Sequence, residues 1–579
     1  MGNFTPSPGV KINEIDNTYL TGQPINVGAA IIGPTVKGPV EVPTVVTSYS
    51  EYKAVFGDVF TSGSDTYSYL TSIAAYNYFN YGGESLLVAR VASGSFSPAS
   101  SSIIADDSVY VINGYVDPGY ILGGGTNIFE LKTLSEGIIM NNETVGINGA
   151  LTSGTPDNIR FEITSPNAAK GTFNVLIRRG DDTTAKPIIL EAFNGVSLDP
   201  KSNNFIARVI GNQTKVYDPT TNQMIVEGEY PNASKYVRVS AVNVLTPDYL
   251  DVNGNVKPAY VGVLPPAQLG TFGGATGTIM GGANFYDNIS TQTQGLVASN
   301  YTNMVNLLSN AEEFKFNIIS TPGLTKESHS SVVSAIIATT QERGDSIYVL
   351  DLTNYSSALS TAVTQAQSID NSYASTYWPW VNISDPATGK IVWVPASTLI
   401  PGVYMNNDRI AAPWFAPAGM NRGGLGTVLR AKYKLSQAQK DELYVNNINP
   451  LATMPQQGVV AFGQKTLQKD ASALDRVNVR RLLIELKSFI GQVANTIVFE
   501  PNTTVTRLSF INRVSPYLET IQQKQGLYAF KVVMDESLNT PDVIDRNQLV
   551  GQIYIQPTRT AEFISLDFIL QPTGATFPG

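Results

Sequence analysis

Residues 561–570, AEFISLDFIL, describe a strand with no obvious partner nearby, and this stretch constrains the fold more than any other. Side chains alternate across a strand, so Phe563, Ser565, Asp567 and Ile569 share one face while Ile564, Leu566, Phe568 and Leu570 share the other. A terminal strand this apolar needs a sheet to join, because an unpaired edge seeks another backbone. That sheet is either the chain's own or a neighbour's.

The preceding residues supply a platform. Over residues 476–498, Val479, Leu482, Leu483, Leu486, Phe489, Ile490, Val493, Ala494 and Ile497 recur at three- and four-residue steps, which predicts a helix with a broad buried face. Residues 503–523 repeat that spacing through Val505, Leu508, Ile511, Val514, Leu518 and Ile521, and residues 527–534 and 549–556 read as strands. At the other end, residues 10–16 (VKINEID) alternate as a short strand before the breakers Gly22 and Pro24, and resemble a free arm.

Between these ends the texture changes twice. Residues 26–33 and 43–47 read as strands, 49–56 as a short helix, and 65–81 as an amphipathic helix leading into a strand at 84–91. Short β-like runs then follow at 160–164, 173–178, 205–210, 215–218, 224–227 and 236–244, closed by the glycine-rich spacer 273–282. Helix and strand alternate again: helices at 299–310, 327–343 and 356–369, strands at 315–320, 346–352 and 377–383. Alternation of this kind implies a largely parallel sheet covered by helices. The stretch before the insertion is too short to close a domain, so both α/β pieces are expected in one sheet.

The expected fold is therefore α/β and α+β multidomain. Residues 1–24 form an N-terminal arm and linker, 25–92 with 283–475 a discontinuous α/β core, 93–282 one or two inserted β-rich domains, and 476–579 a C-terminal α+β domain.

Composition narrows the function. Charged residues make up 15% of the 579, below the roughly 25% usual in soluble proteins, and uncharged polar surface suits close-packed contacts between subunits. The formal net charge of −9 argues against nucleic-acid binding, which uses a basic stripe. The absence of cysteine excludes disulfides, thiolate zinc sites and a cysteine nucleophile. No apolar run approaches the ~18 residues of a spanning helix. The first residues lack a signal-peptide pattern, and Pro6 breaks the myristoylation motif, so a soluble, unsecreted chain with no membrane insertion is expected.

No catalytic residue, cofactor or metal is expected. The sole histidine, His329, starts a helix and reads as a surface residue rather than part of a Ser-His-Asp triad. Neither ATGK at 387–390 nor VKGP at 36–39 completes a phosphate loop. Asp251, Asn253 and Asn255 resemble the opening of a calcium loop without its closing Glu, and a turn explains them. RRGDD at 178–182 reads as a charged hairpin tip. Trp378, Trp380, Trp393 and Trp414 raise a β-rich hydrolase as an alternative, but no carboxylate pair accompanies them and aromatic packing accounts for them. The cluster Arg476, Arg480, Arg481 and Lys487 is either a solvated helix face or a docking surface for an acidic partner.

A set of strings carries a resemblance: PGVKINEID at 8–16, AAIIGPTVKGPVEVP at 29–43, YGGESLLVARV at 81–91, APAGMNRGG at 416–424, NNINPL at 446–451, FGQKTL at 462–467, NVRRLL at 478–483 and FEPN at 499–502. In this order they resemble a contractile phage tail sheath protein of the myovirus type, and residues 190–211 are similar to its long, T4-like variant.

The resemblance implies a virion structural subunit, assembled in the host bacterial cytoplasm, that polymerises helically around an inner tail tube. It contracts from a metastable extended state to drive that tube through the bacterial envelope. Its implied partners are further copies of itself, the inner tube protein, and the baseplate and tail terminator proteins. Another tail or baseplate component is the alternative.

It further implies exchanged terminal strands. The N-terminal arm would carry Val10, Ile12, Glu14 and Ile15, and the C-terminal arm Phe563, Ile564, Leu566, Phe568 and Leu570. Receiving strands would carry Tyr528, Phe530, Val532, Ile553 and Ile555, while Arg480, Arg481 and Lys487 would be candidates for facing the tube.

Overall fold

The computed structural model describes residues 27–104, 111–112, 115–116, 127–146, 148–279, 281–282 and 285–563. Val10, Ile12, Glu14 and Ile15 of the expected N-terminal arm, and Ile564, Leu566, Phe568 and Leu570 of the C-terminal one, lie outside the described residues.

Apolar runs such as VGAAIIG and IYVLD have no polar face, so they suit strands covered on both sides. β1 (Val27–Gly33), β2 (Thr44–Val46), β3 (Leu86–Arg90), β4 (Phe316–Thr325), β5 (Ile347–Asp351), β6 (Ala374–Trp378), β7 (Asn449–Met454) and β8 (Gly458–Ala461) form one eight-stranded sheet, in the order β2-β3-β1-β4-β5-β6-β7-β8. The inner pairs are parallel and the outermost pairs, β2 with β3 and β7 with β8, are antiparallel. Successive side chains divide between two cores. Ala29, Ile31, Val88, Ile318 and Val349 enter one, and Ala30, Ile32, Leu87, Ile319 and Tyr348 enter the other.

This sheet joins strands from either side of the long insertion. β1 pairs with β4 through Ala29 and Ile318 although some 290 residues separate them. The helices Tyr49–Phe56 (α1), Leu70–Asn80 (α2), Ser330–Arg343 (α3) and Ile400–Ile410 (α4) cover its faces. The insertion has a separate core, in which Phe129, Phe161, Phe173, Ile206 and Phe272 meet between a three-stranded and a four-stranded sheet. Arg90, buried at the end of β3, ties the two together by donating to the carbonyls of Gly38 and Glu136.

Several local expectations are corrected. Residues 65–81 are not one helix: Asp65–Tyr67 pairs with Phe60–Ser62, and α2 starts at Leu70. There the rings of Phe60, Tyr67, Tyr69 and Phe285 stack together, and this packing outweighs helical spacing. Residues 206–210 form a helical turn rather than a strand, burying Ile206, Ala207 and Ile210 on one side. The stretch at 377–383 is split between β6 and a second strand, Val381–Ser384, in another sheet.

His329 is buried rather than a surface residue, with Nδ1 accepting the Thr325 N–H at 3.1 Å and burial lowering its pKa. RRGDD does lie where one strand, Thr172–Arg179, turns toward its antiparallel neighbour, Ile189–Ser197, and its charges are paired there. Arg178 and Asp182 are both buried, 2.6 Å apart, and Glu162 takes a second bond from Arg178. At DVNGNV the Asp251 carboxylate accepts the N–H groups of Asn253 and Asn255, each at 2.8 Å, which is a turn closed on itself. Among the described residues no group of three or more His, Cys, Asp or Glu side chains could hold a metal, and no helix is long and apolar enough to cross a membrane.

Candidate intersubunit assembly site

The helical spacing after residue 476 produces α5 (Val477–Asn495) and α6 (Thr504–Gln523), the latter capped by the Thr503 hydroxyl on the Thr506 N–H. Leu482 and Leu486 of α5 meet Phe510, Val514, Leu518 and Ile521 of α6, and the Phe489 and Tyr517 rings stack with centroids 3.8 Å apart. Pro516 sits inside α6 without ending it.

Across this helix pair lies a ribbon of β9 (Leu527–Val533) and β10 (Gln552–Pro557). Phe530 pairs opposite Ile555 and Val532 opposite Ile553, and all four pack against the helices. On the other face Tyr528 and Tyr554 are 61% and 58% exposed, so the ribbon presents an aromatic outer surface. Asn539 bonds both backbone groups of Val550, each at 2.9 Å, and closes the loop between the strands. The ribbon is a two-stranded sheet of its own, and among the described residues neither outer edge has a strand beside it. Two strands alone are marginal in water. Their unpaired N–H and C=O groups are a template for a further strand.

The basic residues of α5 depart from the solvated face considered above. Arg481 is buried and forks onto Asp408, with contacts of 2.7 and 2.5 Å. Burial, the largest single influence, would lower the Arg481 pKa, but the charge and hydrogen bonds of Asp408 together with Tyr404 and Tyr377 outweigh it and the net shift is upward. Arg480 is also buried, lying 3.9 Å over the Tyr373 ring with a bond to Ser372. Lys487 alone of the three tube-facing candidates is exposed, donating to the Tyr373 hydroxyl at 3.0 Å. The physical reason is that the amino-terminal half of α5 is enclosed by the α/β core, and a charge enclosed there must be paired. Trp414 adds another tie, its indole N–H donating to the Lys524 carbonyl at 3.0 Å.

A further tie holds the segment that leaves β10. The Glu562 carboxylate accepts both arms of the Arg476 fork, at 2.8 and 2.9 Å, and a bond from Gln464 at 3.1 Å. It also accepts the Tyr444 hydroxyl, and Gln464 donates to the Thr560 hydroxyl at 2.7 Å. Burial raises the Glu562 pKa, but the hydrogen bonds from Arg476, Tyr444 and Gln464 outweigh it and leave it lowered. The Tyr444 hydroxyl is raised by burial and by the carboxylate it serves. Immediately after this clasp Phe563 is 82% exposed, edge-on to Tyr444.

Residues 298–467 match the family described as phage tail sheath protein central domain, and residues 469–571 match the phage tail sheath C-terminal domain. Over these two regions the chain is similar to phage tail sheath proteins. Tail sheath proteins of Vibrio phage KVP40 and Enterobacteria phage T4 are 43% and 40% identical to it over 185 residues, which is 32% of this chain. In these matches the chain covers 28% of either relative's length. The crystal structure of a sheath tail protein from Listeria innocua, 10% identical, aligns over 92% of this chain and 95% of that one with a TM-score of 0.52, a likeness of fold.

Within this sheath framework the predicted receiving residues Tyr528, Phe530, Val532, Ile553 and Ile555 come together on one ribbon. Sequence reasoning missed the clasp of Glu562, Arg476, Tyr444 and Gln464, whose members lie up to 118 positions apart with no shared motif. Within FEPN, Phe499 is fully exposed at the α5–α6 turn with φ +72°, and Val498, Val505 and Leu508 are exposed too.

Proposed function

We propose that this chain is the structural subunit of a contractile tail sheath. Copies polymerise helically around an inner tail tube and contract from a metastable extended state, driving the tube through a bacterial envelope during genome delivery. The reading includes strand exchange. The N-terminal arm of one copy, with Val10, Ile12, Glu14 and Ile15, and the C-terminal arm of another, with Phe563 to Leu570, add to the β9–β10 ribbon of a third.

One observation carries this reading: a ribbon whose edges have no strand partner among the described residues, and whose outer face is aromatic, sits within the region matched to the sheath C-terminal domain. Strand addition supplies main-chain hydrogen bonds that survive bending of the flanking linkers, so copies can rotate without parting. The energy for contraction is then stored at assembly as a kinetically trapped arrangement. Partners at the ends of such a tube are the baseplate and terminator proteins, and Lys487 is the candidate remaining on the surface for contact with the tube.

The test is direct. Expressed alone and imaged in negative stain, the chain should form striated tubes. Removing residues 1–16 should leave soluble monomers or disordered aggregates, whereas regular tubes from that truncation would sink the arm exchange.

A further inference from the structure

The exchange reading contains a competition that the fold must resolve. A segment tethered by a short flexible linker experiences an effective concentration on the order of millimolar. The segment at 563–570 follows β10 by only a few residues, so it would pair with its own ribbon before reaching another copy unless the geometry forbids the return. Antiparallel return onto β10 needs a reversal within about two to five residues.

Those residues are committed elsewhere. Thr558 is held at the turn between α6 and β9, its N–H donating to the Gly526 carbonyl at 3.2 Å and its hydroxyl to that of Gln525. Thr560 is taken by Gln464. Glu562 is taken by the Arg476 fork, Gln464 and Tyr444, and the described residues after Pro557 carry no strand. Bidentate, charge-assisted bonds are the strong class, and this one is partly enclosed, with the two side chains 24% and 18% exposed. The donors belong to the α/β core side of the junction, at Tyr444, Gln464 and the residue preceding α5. The chain is thus drawn off the ribbon at the point where it would have to turn back.

We propose that the Glu562 clasp blocks self-pairing of the terminal segment and so leaves the ribbon edge for the terminal segment of a second copy. This rests on the strand-exchange reading above. Glu562 and Arg476 are positioning residues: they fix where the arm departs.

The absence of cysteine makes a thiol test clean. Ser565→Cys and Gln556→Cys are introduced together into the full chain, and a thiol-specific bismaleimide reports whether tail and ribbon meet within one copy or between two. With Glu562 present, products should be dimers and higher ladders. With Glu562→Ala, monomers with an internal link should dominate and tube formation should fall. Tyr444→Phe, which removes one bond and keeps the ring, should shift the ratio less.

Unchanged melting of both variants shows that the fold is retained. If Glu562→Ala gives the same ratio of internal to intermolecular links as the parent, while intermolecular links are abundant in both, the clasp proposal is overturned and strand exchange stands. If neither background gives intermolecular links, the exchange reading itself fails and the clasp proposal with it.

Discussion

The eight-stranded sheet and the β9–β10 ribbon are built from similar residues and end in opposite conditions. In the large sheet both faces of β1, β3, β4 and β5 are enclosed, and each end is finished by an antiparallel strand. The ribbon has one packed face, one exposed aromatic face and two edges without a strand partner among the described residues. One is complete within the copy, and the other has edges that no described strand fills. The difference teaches that apolar strands make a finished core or an exposed surface depending on what covers their second face and edges.

Several changes would break or sharpen that contrast. The largest effect is expected at the tie between the two regions. Asp408→Ala leaves the buried Arg481 charge unpaired and should cost about 3–5 kcal/mol in urea unfolding. An unchanged midpoint would mean that the C-terminal region is not held to the core by this pair. Next, Ile318→Ala in the enclosed sheet should cost about 2–5 kcal/mol. By contrast, Ile553→Ala on the half-buried ribbon should cost about 1 kcal/mol or less in the isolated chain while abolishing tubes. Equal stability losses at the two sites would erase the comparison. Smallest on stability is Tyr554→Ala, expected within about 0.5 kcal/mol by thermal melting, with its effect confined to assembly.

Two carboxylates carry the same contrast into pH. Asp351, enclosed at the end of β5, is pushed up to about 7 by burial, against the bonds donated by Ser397. Its folded pKa lies above the unfolded value of about 3.9, so its contribution to stability is full below that value and is lost as the pH rises through about 7. Asp351→Asn should therefore flatten the decline in stability from about pH 4 to about pH 8. Glu562 behaves in the opposite sense. Its pKa is lowered, so the clasp is fully present above about pH 4.3 and is lost as the pH falls through the lower folded value. Internal cross-links in the two-cysteine chain should rise over that acid range, and a flat ratio would argue against the clasp.

Much of the molecule was legible in advance where one periodicity ran uninterrupted. The spacing of Leu482, Leu486, Val514 and Leu518 specified α5 and α6, and the continuous apolar runs located the central strands. The two α/β stretches sharing a sheet followed from their lengths and is seen in the pairing of Ala29 with Ile318. Legibility failed where packing overrode local pattern, as at residues 65–69, where stacked rings replace a helix, and at 206–210, where a buried turn replaces a strand.

Charge was the least legible property. Arg480 and Arg481 have the spacing of an exposed basic face and are buried; His329 has the position of a surface residue and is enclosed. Side-chain type and helical period state which residues share a face, while whether that face meets water depends on elements brought in from elsewhere in the chain. By itself the sequence determined the strand-forming ends, the helical platform and the family strings. Tertiary structure decided that Arg481 meets Asp408, that Glu562 is clasped 86 residues away by Arg476, and that among the described residues neither ribbon edge has a strand partner. The physical reason is that periodicity is set by the backbone within a few residues, whereas desolvation and pairing are set by distant segments arriving at the same place.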